Sequence, residues 1–424
     1  MTDKQARSVS PFLIPLVIVG ILFFLLGFSL GINGLLIPFL KKAFSLNNTE
    51  SYLVLTATFS AFVVFGYPSG LLIQKIGYRR GIVTSFILFA IGLFLFIPSA
   101  KFESFPLFLL ASFISGTGNT LLQAAINPYI TILGPIESAA KRMCIMTIFN
   151  RSGWAVAPIF LAIFLDISQI NVQLTDLILP FYIVVGIFIL LGAFTWFAPL
   201  PEIKAVGEDE SDNSAESANV KAFVDSKKSI LQFPHLLLGA VALFFYVGID
   251  TLALVSPVDF AQTLGLSHPE RYTLYTVIAI SAGCVLGVIL TPRYMSQITG
   301  LRVGSLIGLL FSVLIPLIPA KIAIYLIPMI SFSTCLVWGA VWPLAISYLG
   351  KYTKTGSSIL VSAIVGGALL PLIFGYLKDL LGNIQQAYWL FFLSILFIVF
   401  YSFKGYLIGL KKVRGDESKD EMPQ

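Results

Sequence analysis

The chain has 424 residues, of which 57% are hydrophobic and only 11% are charged. This composition excludes a soluble globular protein, because no soluble domain of that size can hide so much apolar surface from water. The formal net charge of +6 does not indicate nucleic-acid binding, since the basic residues are dispersed among the loops and form no single patch.

Twelve apolar runs of roughly 18 to 30 residues follow one another along the chain, and each is long enough for a helix to cross about 30 Å of hydrocarbon. We therefore predict an all-α membrane protein with twelve transmembrane helices, surrounded by a lipid bilayer. The predicted spans begin near Pro11, Ser51, Ile82, Phe105, Met143, Asp176, Pro234, Arg271, Arg302, Ile322, Gly356 and Ile384.

The distribution of basic residues predicts how the chain is oriented. The first 10 residues are polar and contain no short apolar core with a small-residue cleavage site, so we expect no removable signal peptide. If both termini are cytoplasmic, 20 of the 27 Lys and Arg residues fall on the cytoplasmic side and 6 outside, and only Arg151 lies within a span. This bias follows the positive-inside rule. We predict a protein of the plasma (inner) membrane with both termini in the cytoplasm.

Residues 201–233 divide the chain into two halves of six spans each. This segment is acidic and rich in Ser and Asn, with too few large apolar side chains to fold alone. The halves share one sequence echo, LLQAAINPYITILG around Pro128 and LVWGAVWPLAISYLG around Pro343. Two pseudo-symmetric six-helix bundles are typical of the major facilitator fold, whose substrate site lies between the halves. The predicted organisation is a cytoplasmic tail at 1–10, a bundle at 11–200, a cytoplasmic linker at 201–233, a bundle at 234–410 and a cytoplasmic tail at 411–424.

The fourth span contains three amides, Asn119, Gln123 and Asn127, at four-residue spacing. Side chains at this spacing lie on one face of a helix. Either they hydrogen-bond to neighbouring helices, which is common in membrane bundles, or they line a polar site. Amides suit sugars because each offers a donor and an acceptor without a charge. Asn33 and Asn150, on neighbouring spans, extend this candidate site.

Trp338 and Trp342 also lie four residues apart, in the tenth span. Their indole rings either fill core or lipid-facing space, or stack on the apolar face of a sugar ring. We include both rings among the candidate substrate-binding residues. The full set is Asn33, Gln123, Asn127, Asn150, Arg151, Trp338 and Trp342.

Arg151 and Asp250 are charged residues inside predicted spans. The guanidinium of Arg151 lies nine residues, about 13 Å, beyond Arg142 in the fifth span, and it cannot lose its proton. It therefore needs a partner, which is either a fixed acid, backbone carbonyls or the substrate. Asp250 is the acid placed most firmly within a span, and an intramembrane carboxylate is a candidate ion or proton site. Asp250 is therefore the candidate ion-coupling residue.

Cysteines and histidines give little indication of a metal site. Cys144, Cys284 and Cys335 lie in or beside apolar spans, far apart in sequence, and are interpreted as small buried hydrophobes rather than disulfide or metal ligands. His235 and His268 are the only histidines, one at each predicted membrane surface, so they cannot form a zinc or haem site. We expect no metal and no cofactor beyond a coupling H⁺ or Na⁺.

Several segments resemble a known family. NTLLQAAINPYITILGP, FNRSG, FFYVGID and SAIVGGALLP are similar to LQTAxNPFxTxLGP, FNSxG, FFYVGxE and AIVGGALxP in the fucose, galactose and glucose to proton symporter family of the major facilitator superfamily. The similarity covers essentially the whole chain in matching order, including INGLLIPFLKKAF in the first span. The resemblance implies sugar uptake by alternating access, driven by a cation gradient.

The chain departs from this family at the positions expected to bind protons. Asn33 matches the family's Asn in the first span, but Gly34 stands where the proton-binding Asp is expected. Gln123 occupies the position of a second acid in the fucose type, although glucose-type relatives also have Gln there. Asp250 keeps the acid of the FFYVGxE segment, one methylene shorter.

Three other departures concern the sugar itself. Thr147 replaces a sugar-contacting Gln, Arg151 replaces a small residue, and Trp338 stands where a glucose-type relative has Asn.

Three mechanisms are therefore open. Asp250 couples the cycle to H⁺ or Na⁺; Arg151 acts as a fixed cation, which would also suit an anionic sugar derivative; or the carrier is an uncoupled facilitator. We predict a monomeric, cation-coupled importer of a monosaccharide, either a hexose or a deoxyhexose. A drug exporter shares the fold, whereas a membrane-embedded transferase is disfavoured because the sequence offers no acid–base pair for catalysis.

Overall fold

The computed structural model describes residues 13–45, 53–164, 174–208, 214–269 and 271–410, so the predicted tails at 1–10 and 411–424 lie outside the described residues. Within these ranges all regular structure is helical, and twelve helices are long and apolar enough to cross a membrane. The predicted fold class is confirmed. The helices, α1 to α12, are Leu13–Ala43, Leu53–Ile76, Tyr78–Lys101, Phe105–Ile132, Ala139–Ala162, Ile178–Phe197, Pro234–Thr263, Arg271–Leu290, Gln297–Leu317, Leu326–Ile346, the two segments Thr353–Ser362 and Gly366–Leu381 of α11, and Trp389–Phe403.

Some helices begin earlier than the apolar runs predict. Helix α5 begins at Ala139 rather than near Met143, and α9 begins at Gln297 rather than near Arg302. The first turns of both helices are polar, so hydropathy alone does not detect them. In α9 the side chain of Ser296 caps the helix by accepting a hydrogen bond, 3.1 Å long, from the backbone N–H three residues later.

The two halves repeat one packing pattern. In the N-terminal half α1 packs on α5, α2 and α3 pack on α4, and α3 packs on α6. In the C-terminal half α7 packs on α11, α8 and α9 pack on α10, and α9 packs on α12. Pro128 lies in α4 and Pro343 in its counterpart α10, as the sequence echo predicts.

Glycines let the helix pairs α1–α5 and α7–α11 approach closely. A Cβ at Gly27 of α1 would overlap the carbonyl of Asn150 in α5, and a Cβ at Gly153 of α5 would overlap the carbonyl of Phe24 in α1. Gly366 of α11 faces a carbonyl of α7 in the same way. Such contacts are typical of membrane helices, where small residues permit tight packing. They bring α5, which carries Arg151, directly against α1.

The linker contains a short helix that packs on the ends of the membrane helices. This helix, Ala215–Asp225, is capped by Ser214, whose side chain accepts a hydrogen bond from the backbone N–H of Ser217 at 3.2 Å. Val220 and Val224 are buried against the bundle. The end of the molecule that carries the linker also carries the α2–α3, α4–α5, α8–α9 and α10–α11 connections, and we call it the linker side.

The two halves are in close contact on the linker side. Helix α2 packs on α11, and α5 packs on α8 and α10. The side-chain oxygen of Gln74 in α2 accepts a hydrogen bond from the Thr355 hydroxyl in α11, at 3.4 Å. A Cβ at Gly339 of α10 would lie only 3.0 Å from the carbonyl oxygen of Ala140 in α5. The linker side is therefore closed.

Candidate functional site

Arg151 and Asp250 form an ion pair that joins the two halves. One terminal guanidinium nitrogen of Arg151, on α5, donates a hydrogen bond to a carboxylate oxygen of Asp250, on α7. The residues lie 12 and 16 positions from the starts of their helices, about 18 and 24 Å deep, which places both near mid-depth. The side chains are 15% and 14% exposed, so the pair is largely shielded from solvent. The sequence left three possible partners for Arg151: a fixed acid, backbone carbonyls or the substrate. In this conformation its partner is a fixed acid, Asp250.

Arg151 has a buried donor without a partner. Its Nε is buried and makes no hydrogen bond, although a buried polar group normally finds one. Asp250 therefore satisfies only part of the guanidinium. The Nε–H is available to any acceptor that approaches it, such as a hydroxyl or a water molecule.

An aromatic group lies beside the ion pair. Tyr246 is one helical turn before Asp250 on α7, and its ring centroid is 6.3 Å from that of Trp338 on α10. The rings of Trp338 and Trp342 are 5.1 Å apart. Trp342 is fully buried and its indole N–H has no hydrogen-bond partner, whereas Trp338 is only partly buried. The structure thus places Trp338 beside Tyr246 and encloses Trp342 in the core.

Sequence reasoning missed Tyr246. Its position four residues before Asp250 in FFYVGID places it on the same face of α7, which was a usable signal.

The amide stripe of α4 is present, and its members have different environments. The side-chain amide of Gln123 donates to the side-chain oxygen of Asn119 at 2.8 Å, and both residues are buried. Asn127, one turn closer to the linker side, is completely buried, and neither its oxygen nor its nitrogen has a partner. Asn119 and Gln123 thus satisfy each other in part, while the hydrogen-bonding capacity of Asn127 is entirely unused.

The remaining predicted amides lie on the α1–α5 pair. The side-chain nitrogen of Asn150 donates to the backbone carbonyl of Phe23 at 3.2 Å, which is a contact between helices. Asn33 lies in α1, but its side chain falls outside the described part of the structure. The predicted role of each amide in binding substrate stays a prediction.

The three cysteines, distant in sequence, meet in the fold. Cys144 of α5, Cys284 of α8 and Cys335 of α10 are buried free thiols that pack in one apolar cluster. Because α5 belongs to the first half and α8 and α10 to the second, the cluster crosses the boundary between the halves. The sequence held no signal for this meeting. Within the described residues no group of three or more His, Cys, Asp or Glu is arranged to hold a metal ion.

A cavity of about 530 Å³ opens on the side opposite the linker, between the ends of α7 and α11 and the α9–α10 and α11–α12 connections. Its lining includes Thr263, Lys378, Asp379 and Asn383. All of its walls come from the C-terminal half. It is therefore distinct from the site between the halves that the sequence predicts.

Comparison with known proteins identifies the family. The model of the Major Facilitator Superfamily matches residues 19–366 of the chain. The chain belongs to this superfamily. A glucose/galactose transporter of Brucella abortus is 33% identical, over 92% of this chain and 93% of its own length. The L-fucose-proton symporter of Escherichia coli is 26% identical, over 91% of each chain.

The fold of this Major Facilitator protein is shared with solved relatives. The crystal structure of FucP in the outward conformation aligns with a TM-score of 0.79 at 25% identity, covering 92% of this chain and 98% of that one. Membership of the fucose, galactose and glucose symporter family, which the sequence motifs implied, is confirmed.

Proposed function

We propose that the protein is a secondary active transporter that imports a monosaccharide, either a hexose or a deoxyhexose, by cation-coupled alternating access. The observation that carries this proposal is the Arg151–Asp250 pair, which links the two halves at mid-depth within a fold whose relatives are named as sugar transporters. Alternating access moves the halves about a central site. A charged contact between the halves at that depth is well placed to sense both substrate and ion.

The substrate site in this proposal lies around the pair. Asn33, Gln123, Asn127 and Asn150 offer amide donors and acceptors to sugar hydroxyls. The free Nε–H of Arg151 adds a donor. Trp338, which is only partly buried, and Tyr246 beside it supply the aromatic surface on which the apolar face of a sugar ring can stack.

Asp250 is the proposed coupling residue. Arg151 cannot lose its proton, so Asp250 is the partner that can take up a cation. Binding of H⁺ or Na⁺ at the carboxylate would weaken its attraction to Arg151 and release the guanidinium toward the substrate. Because the partners belong to different halves, this local change alters the force that holds the halves together.

We also propose that the linker side faces the cytoplasm and that both termini lie there. The support is the excess of Lys and Arg in the segments on that side, which follows the positive-inside rule. Import then requires the site to open first on the opposite side and afterwards on the linker side.

Two alternative functions depend on the same pair. If Arg151 and Asp250 never separate, the carrier is an uncoupled sugar facilitator. If Arg151 leaves Asp250 for the substrate, an anionic sugar derivative becomes a suitable cargo, because a guanidinium binds carboxylate or phosphate with two hydrogen bonds. A neutral sugar is favoured, since the charge of Arg151 is already balanced by Asp250.

Uptake into proteoliposomes tests these functions. Labelled glucose, galactose, fucose and glucuronate would be supplied under an inward proton gradient, an inward sodium gradient or none, with protein-free liposomes as the control. We expect one neutral sugar to accumulate above its external concentration under one of the two gradients. Equilibration without accumulation would indicate a facilitator, and transport of glucuronate alone would indicate an anionic substrate. Failure of all four sugars to enter would contradict sugar transport.

A further inference from the structure

The first residues of the linker are fixed to the N-terminal half. The carboxylate of Glu202 accepts hydrogen bonds from the backbone N–H groups of Tyr78 and Arg79, each 3.1 Å long, at the start of α3. The hydroxyl of Tyr129 in α4 donates to the carbonyl of Pro201 at 3.1 Å. Gly77 has a φ of +82°, and a Cβ there would lie 2.7 Å from the Glu202 carboxylate. Glycine at this position thus permits Glu202 to reach the helix start.

Further along the linker, Glu208 contacts the C-terminal half. Its carboxylate forms an ion pair with the ammonium group of Lys354, in the first turn of α11, at 2.8 Å. The other carboxylate oxygen of Glu208 accepts a hydrogen bond from the backbone N–H of Ala205 at 2.9 Å, which holds the side chain in place. The side chains of Lys354 and Glu208 are only 12% and 14% exposed. Such shielding makes an ion pair much more sensitive to loss of one partner than a surface pair.

Lys354 also contacts the N-terminal half directly. Its ammonium group lies 5.1 Å from the ring centroid of Tyr78, a residue that is completely buried at the start of α3. A cation over an aromatic face is attracted by the ring, more strongly when both are shielded from water. Lys354 therefore joins α11 of one half to α3 of the other and to the linker anchored there.

We propose that Lys354 is a gate residue of the transport cycle, and that Glu208 of the linker, together with Tyr78, holds it in the closed position. The inference rests on the alternating access of the proposed function. Opening the linker side must move α11 away from α2 and α3, and this separates Lys354 from Tyr78. The three-part contact therefore exists only while the linker side is closed, and its strength sets how often that side opens.

A second linker pair provides a matched control. Asp225 of the linker helix and Lys351, three residues before Lys354, form an ion pair at 2.7 Å. The side chain of Lys351 is 53% exposed and that of Asp225 is 68% exposed. This pair connects the linker to the C-terminal half and does not involve the helices of the N-terminal half. Its loss removes a linker contact of the same chemical type without separating the halves, so it should not affect the gate.

The native cysteines provide a reporter of opening. Cys144 of α5 and Cys284 of α8 belong to one buried cluster across the halves and are 1% and 0% exposed in the closed arrangement. Movement of α5 away from α8 on the linker side would expose these thiols to water. Their rate of reaction with N-ethylmaleimide, followed by mass spectrometry of the whole protein, therefore measures the open population without any sugar.

The test compares the purified full chain with its Glu208→Gln, Lys354→Met and Asp225→Asn variants. We expect Glu208→Gln and Lys354→Met to increase the labelling rate roughly tenfold, equivalent to about 1.4 kcal/mol in the closing equilibrium. Asp225→Asn should stay within about twofold of the unmodified protein. Glu208→Gln changes no side-chain volume, so it carries the test if Lys354→Met does not fold. Digestion should locate the label on Cys144 or Cys284.

Two results would overturn the proposal. One is labelling of Glu208→Gln at the unmodified rate, and the other is an equal increase in Asp225→Asn, which would mean that any loosening of the linker has the same effect. The labelling needs no substrate, so a protein that moves none of the tested sugars can still show the gate. Failure of sugar uptake and failure of the gate are thus separate results.

Discussion

Arg151 and Asp250 are 99 residues apart in sequence and pair across the boundary between the two halves. Removing one partner leaves the other as an unpaired charge in a shielded site, whereas removing both leaves none. We expect Arg151→Met to lower the free energy of unfolding by about 3 kcal/mol, and Arg151→Met with Asp250→Asn to recover most of that loss. Thermal unfolding in detergent would measure both. If the double variant loses as much free energy of unfolding as Arg151→Met and Asp250→Asn lose together, the two residues are not energetically coupled.

Asp250→Asn separates coupling from binding. Asparagine keeps the shape of the side chain but cannot take up a proton or attract a sodium ion as a carboxylate does. We expect this variant to lose gradient-driven accumulation of sugar while it retains exchange of labelled for unlabelled sugar across the membrane. The measurement is uptake into proteoliposomes with and without a gradient, compared with sugar exchange at equal concentrations. Undiminished accumulation would exclude Asp250 as the coupling residue.

Asn127→Ala tests a side chain that makes no hydrogen bond in the described conformation. Since neither amide atom of Asn127 has a hydrogen-bond partner, its removal breaks no hydrogen bond. Relief of the unpaired amide offsets the packing that is lost, so the free energy of unfolding should change by less than about 1 kcal/mol. Sugar uptake should be abolished. Measuring both quantities on one preparation distinguishes a binding role from a folding role, and normal uptake would remove Asn127 from the site.

Asn150→Ala should behave differently from Asn127→Ala. Its hydrogen bond to the carbonyl of Phe23 contributes to the contact between α1 and α5, so we expect a stability loss of roughly 1 kcal/mol in addition to loss of uptake. Uptake should be compared per folded molecule, after gel filtration of each variant. Reduced stability with normal uptake would assign Asn150 to helix packing alone.

Arg142 offers a contrasting case of a buried arginine with a purely structural role. Its guanidinium donates to the backbone carbonyls of Ile130, Thr131 and Pro135 at 2.8 to 2.9 Å, at the end of α4 and in the turn that follows. We expect Arg142→Met to lower the free energy of unfolding by about 2 kcal/mol, because these carbonyls lose charged donors. Lys141→Met is the control, since the described structure shows no hydrogen bond from that side chain. Equal melting temperatures for the two variants would contradict this role.

The sequence predicted the twelve helices and the two bundles because long apolar runs have few other possible structures. It placed the starts of α5 and α9 too late, since their first turns contain polar residues such as Lys141 and Gln297, which hydropathy does not detect. The fold class depends on the average hydropathy of each span, which can be calculated directly from the sequence. The exact helix ends depend on capping contacts, which the sequence predicts only weakly.

The sequence predicted two charged residues inside the spans but not the contact between them. Arg151 and Asp250 were each identified, because a charge inside a span is conspicuous, but their pairing depends on how α5 and α7 are rotated in the bundle. The meeting of Cys144 with Cys284 depends on the same rotation. Neither rotation can be obtained from one sequence, since many helix orientations bury the same apolar faces.

The side-chain oxygen and nitrogen of Asn127 have no hydrogen-bond partner while the linker side is closed, and this favours opening of that side. A dehydrated amide with no partner costs roughly 1–3 kcal/mol, and water or a sugar hydroxyl entering on that side would remove the cost. Lys354 and Asn127 therefore push the same equilibrium in opposite directions. A carrier turns over fastest when neither its outward-open nor its linker-side-open state is much lower in free energy. The opposite effects of Lys354 and Asn127 keep the free energies of these two states similar.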